Sequence, residues 1–134
     1  MIFMNIEHAQ RWNEAVGTAG AIRDDGSINA DFGASLYILT GITSAYSRIW
    51  PHIHCGYIDF ELILNSGLSA GETILVALAG NLYNGGFFNR YTPEDIVNLC
   101  DVDSVSLAAR ALCLRKQRLN IDTIFSERFP QIAS

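Results

Sequence analysis

Charge is what this sequence has least of. Charged side chains fill 17% of its 134 positions, against about 25% in an ordinary soluble domain. Cations are the scarcer half: eight Arg and one Lys face fourteen Asp and Glu, for a net charge of −5. A phosphate backbone has to be met by a stripe of cations, so nucleic acid is not an expected partner. Arg110, Arg115, Lys116 and Arg118 form the one local basic cluster, and a solvated helix face accounts for them.

Long apolar runs are missing too. The longest, Ile74 to Gly80, falls far short of the ~20 residues that span a bilayer. The first twelve residues lack the basic start and apolar stretch of a secretory signal. Cysteine is sparse: Cys55, Cys100 and Cys113 are odd in number, far apart and in no CxxC motif. These absences predict a cytoplasmic protein with no membrane partner and with buried, reduced thiols.

What the chain does have is apolar surface, at 49% of residues. One ordinary domain of this length buries a core without staples, so residues 1–134 are expected to form a single helical domain. The surplus apolar area predicts a homo-oligomer or an interface with another protein. The alternative is a compact monomer with a polar but uncharged surface.

The periodicity is helical. Asn5 caps a first helix with Ile6, Ala9, Trp12, Ala15 and Val16 on one stripe and Arg11 among the polar faces. A turn at Arg23–Ser27 follows. Asp31 caps a second helix, Phe32 to Thr40, and Gly41 stops it. Thr43 opens a short helix to Ile49, and Pro51 interrupts the pattern. His52 to Gly56 reads as a loop. The run Tyr57–Leu62 fits a strand or a short helix capped by Asp59, and the helix is preferred.

Ser69 and Glu72 form a capping box ahead of an almost wholly apolar helix that ends at Asn84-Gly85-Gly86. This helix, residues 69–84, is expected at the buried centre. Thr92-Pro93 starts another helix. Asp103 or Ser104 caps a longer one to about Leu119, with Val105, Ala108, Ala109, Leu112 and Cys113 on its apolar side. Asp122 opens a last short helix to Phe129. The predicted architecture is all-α: an irregular compact bundle of six to eight helices around the helix at 69–84.

Several landmarks recur in a fixed order: Phe3 and His8; Asp31 followed by Leu36-Tyr37-Ile38-Leu39-Thr40-Gly41; Leu78-Ala79-Gly80-Asn81-Leu82-Tyr83-Asn84-Gly85; and Thr92-Pro93. In this order and spacing the chain resembles a family of short uncharacterised proteins of Gram-positive bacteria and their phages, a domain of unknown function. Members of that family often carry a tryptophan and a basic residue near the start of the central helix, where this chain has Ser69-Ala70-Gly71-Glu72-Thr73. The resemblance implies a small helical fold. It implies no activity, substrate or catalytic residue.

Chemistry has few candidate carriers. His52, His54 and Cys55 are good transition-metal ligands, but a site needs a third or fourth ligand, recruited from His8 or a carboxylate. A packed imidazole and a buried thiol in a surface loop are the plainer reading. Cys100 and Cys113 lack a neighbouring base to activate a thiolate. The acid pairs Asp24-Asp25, Asp59/Glu61, Glu94-Asp95 and Asp101/Asp103 sit at turns and helix starts, where capping explains them. Gly85-Gly86 and Gly17…Gly20 lack the strand-turn-helix setting of a phosphate loop.

Asn81 is a polar residue inside an apolar helix and needs a partner. Candidates are Asp31, His8, a backbone group or a ligand. A ligand pocket, if the chain has one, belongs beside Asn81 and Asn84 and the aromatic residues Phe87, Phe88 and Tyr91. No cofactor is implied. The leading expectation is therefore a non-enzymatic helical protein that acts through protein contacts and self-associates. A metal-dependent protein and a small-molecule binder stand as alternatives.

Overall fold

The computed structural model describes residues 3–84 and 90–118. The expected helix over Asp122–Phe129, and Phe87 and Phe88, lie outside them. Among the described residues there are seven α-helices: α1 (Ile6–Thr18), α2 (Ala30–Gly41), α3 (Tyr46–Ile49), α4 (Phe60–Leu64), α5 (Ala70–Asn84), α6 (Pro93–Leu99) and α7 (Val102–Gln117). A two-residue hairpin, β1 (Ile53–His54) against β2 (Tyr57–Ile58), is the sole sheet among them.

Side-chain caps set most of the helix starts. Asn5 accepts from the His8 amide at 2.8 Å. Asn29 accepts from the amides of Asp31 and Phe32. Ser69 and Glu72 exchange bonds in a capping box, at 2.8 and 3.2 Å, and Thr92 and Asp95 form a second one. Each satisfies backbone donors that the first turn leaves open.

The core is one cluster of apolar side chains. The helix at 70–84 is buried from Ile74 to Gly80, as expected. It shares the centre with α2, which is buried at every residue from Gly33 to Thr40. Helices α1, α5 and α7 all pack on α2.

Three side chains of α1 donate to backbone carbonyls along one face of α2. Trp12 Nε1 reaches Gly33 O at 3.0 Å, His8 Nε2 reaches Tyr37 O at 2.8 Å, and Arg11 Nε reaches Thr40 O at 2.8 Å. The spacing of the acceptors, four and then three residues, keeps them on one side of the helix. These polar bonds fix the register of two helices whose apolar contacts alone would tolerate sliding.

Gly71 lets α5 meet α6. A Cβ built there would lie 2.7 Å from the Leu99 carbonyl oxygen. That atom is backbone and cannot rotate aside. Gly71→Ala is therefore expected to cost about 1–3 kcal/mol in chemical denaturation. Gly17→Ala is the control: nothing lies within 4 Å of its added methyl, and helix propensity favours Ala by about 1 kcal/mol. Equal behaviour of the two variants would contradict the close approach.

The structure departs from the sequence reading in several places. Asn29, not Asp31, caps α2, and Asp31 pairs instead with Arg115 at 2.7 Å. Asp101, not Asp103 or Ser104, caps α7. The expected loop at His52–Gly56 contains strand residues 53–54, which pair with 57–58, while the helix capped by Asp59 is present as Phe60–Leu64. In α1, Ile6 is exposed and His8 is buried on the core face. Cys55 and Cys113 are exposed and Cys100 is half-buried, so the thiols are not core groups.

The largest departure concerns α7. Its core face is Leu107, Ala108, Ala111 and Leu114. Of the stripe read as apolar, only Ala108 is buried; Ala109, Leu112 and Cys113 face outward and Val105 is half-buried. The helix has two apolar sides.

Candidate functional site

Among the described residues the metal-ligand candidates do not converge. His8 is fully buried. Its Nδ1 accepts the Met4 amide at 3.0 Å while Nε2–H donates to Tyr37 O. Both ring nitrogens therefore have backbone partners, and the neutral tautomer with the proton on Nε2 is selected. The rings of Phe3 and Tyr37 enclose it, with centroids 5.2 and 4.6 Å away. Burial, opposed by the bond to Tyr37 O and aided by Arg11 and Arg110, lowers its pKa from 6.5 to about 4. Such a group is structural and offers no lone pair to a ligand. Burial likewise raises the Tyr37 hydroxyl to about 12, against the favourable influence of Arg110.

His52 ends a 3-10 turn, and His54 sits in β1 with its ring stacked on Tyr57 at 4.7 Å. Cys55 lies at the exposed hairpin tip. Among the described residues no three His, Cys, Asp or Glu side chains gather around one point. Asn81 is half-buried near the C-terminal end of α5, and Asn84, the last residue of that helix, is exposed. Asp31, in the first turn of α2, is held in the ion pair with Arg115.

The larger cleft, about 660 Å³, lies elsewhere. It opens where the starts of α1, α5 and α7 meet the ends of α2 and α6, and neither Asn81 nor His8 lines it. Its carboxylates are Glu72, Asp101 and Asp103. Two of them already serve the backbone. Glu72 accepts from Ser44 and from the Ser69 amide, with Arg48 at 3.6 Å. Hydrogen bonds from Ser44 and Ser69 hold its pKa below the usual carboxylate range. Asp101 accepts from the Ser104 amide at 2.8 Å, and that bond depresses its pKa. Capping accounts for this acidity without a ligand. The sequence carried no sign of this cleft, because its walls come from four separate segments.

The surface offers a more specific feature. Large apolar side chains stand in solvent along α6 and α7: Val97 is 70% exposed, Leu99 51%, Val102 83% and Leu112 48%. Helix α6 buries no residue fully. No family model matches the chain, nor does any curated protein or solved structure. Among the described residues no helix is long and apolar enough to cross a membrane. What the site can do must therefore be read from this apolar strip.

Proposed function

We propose that the protein is a small helical module that works through protein contacts, in the first place by pairing with a second copy of itself. The observation that carries this reading is the second apolar side of α7. Val102 and Leu112 lie ten residues apart on one helix, both exposed, and Val97 and Leu99 of α6 are exposed as well. Scattered apolar side chains are normal on a surface. A continuous strip on one helix is where partners bind. The low charge of the chain agrees, since charged residues are depleted from interface centres.

Placement among the short uncharacterised proteins of Gram-positive bacteria and their phages belongs to the same proposal. It is supported by the order of landmarks from Phe3 to Pro93 and adds no activity. Metal binding through His52, His54 and Cys55 and a ligand pocket at Asn81 have no comparable carrying feature.

Light scattering on the purified chain tests the reading. The expected mass is twice the 14.8 kDa of one chain. Val102→Asp with Leu112→Asp is expected to halve that mass and leave the helical circular dichroism unchanged, because neither side chain belongs to the core. A wild-type monomer at high concentration, or a dimer indifferent to both substitutions, would contradict it.

A further inference from the structure

The outward side of α7 has a pattern finer than apolarity. Val102, Val105, Ala109 and Leu112 follow at intervals of three, four and three residues. That is the a/d spacing of a seam between two helices. The core side of the same helix, Leu107, Ala108, Ala111 and Leu114, is already occupied by α2 and α5. The seam is thus a second and independent one.

From this spacing and the charges that flank it we propose that two copies associate through α7 with the two helices antiparallel. The proposal rests on the self-association reading above and specifies its geometry. Helix α7 is bipolar: Asp101 and Asp103 stand at its start, and Arg115, Lys116 and Arg118 at its end. A parallel pair would set acid against acid and cation against cation. An antiparallel pair with Val102 against the partner's Leu112, and Val105 against the partner's Ala109, brings Asp101 beside the partner's Lys116. Two-fold symmetry makes that contact twice.

The small side chain of Ala109 lets the two backbones approach near the axis. Exposed ion pairs contribute little energy, so these charges choose the orientation while the apolar layers hold the pair. Arg115 already holds Asp31 on α2, so the exposed Lys116, one residue on, supplies the cation that faces the partner.

The test is site-directed cross-linking of the full chain, with native thiols replaced (Cys55→Ser, Cys100→Ala, Cys113→Ser). One sample then carries Val102→Cys and another Leu112→Cys. A short bis-maleimide added to the mixture is expected to give a mixed covalent dimer, and far less from either sample alone. If each sample cross-links to itself, the helices are parallel and this geometry is overturned while self-association stands. A non-covalent dimer that cross-links in neither case overturns α7 as the interface. A monomer by light scattering, for this chain and for the native one, overturns both. If that monomer loses stability with Leu112→Asp, the seam is covered by the chain's own residues and the geometry is equally refuted.

Discussion

Trp12→Ala is expected to destabilise the fold by about 3–5 kcal/mol, enough to consume much of the stability of a domain this size, about 5–15 kcal/mol. Trp12 is fully buried. It packs against Phe3 at 5.4 Å between ring centroids and donates to Gly33 O. Truncation opens a large void in the centre of the α1–α2 contact and removes the first of three bonds that set its register. Trp12→Phe keeps most of the ring and loses the donor, so a cost of about 1–2 kcal/mol is expected from the missing bond and volume. Urea unfolding of both variants checks this. A Trp12→Ala cost near that of a surface change would contradict the position given to the indole.

Acid should weaken the protein through His8. The folded state holds the imidazole at about 4, against 6.5 for the unreconstrained ring. Between these values the unfolded chain binds a proton that the folded chain refuses. The stability contribution is therefore complete above pH 6.5 and is lost as pH falls towards 4. Over the whole window it amounts to about 3 kcal/mol. Protonation would also place an N–H on Nδ1, facing the Met4 amide that it now accepts. Residues 3–5 should then be the first to lose amide protection. NMR titration of the His8 ring checks the direction: it should stay neutral at pH 5.5, and a midpoint near 6.5 would contradict its burial.

The legible parts of this fold were those with local causes. Asn5, the Ser69/Glu72 box and Thr92-Pro93 announce helix starts because the signals lie within a few residues of each other. The apolar helix at 70–84 is legible from composition alone. Where two cap-competent residues stand close together, local chemistry leaves a tie. Asn29 and Asp31 compete for α2, and the tie is broken by Arg115, more than eighty residues away. Asp101 and Asp103 both stand at the start of α7, and Asp101 takes the Ser104 amide.

The stripe on α7 was misread for a different reason. Periodicity finds an apolar side, and α7 has two. Leu107, Ala111 and Leu114 are as apolar as Val105, Ala109 and Leu112, and only packing on α2 decides which set goes inside. His8 was legible as a polar residue near the N-terminus but not as a core group. Its partners are the amide of Met4 and the carbonyl of Tyr37, and backbone atoms carry no sequence signal. The 660 Å³ cleft is invisible for the same reason: its walls are helix ends that only the fold brings together.

The most direct measurement is the dependence of Tm on protein concentration, for the native chain and for Leu112→Asp. Pairing links folding to association, so the native Tm should rise as concentration increases. The Leu112→Asp Tm should stay flat and meet the native value at high dilution. A native Tm independent of concentration, or a variant destabilised at every concentration, would contradict the assignment of α7's outer side as a contact surface.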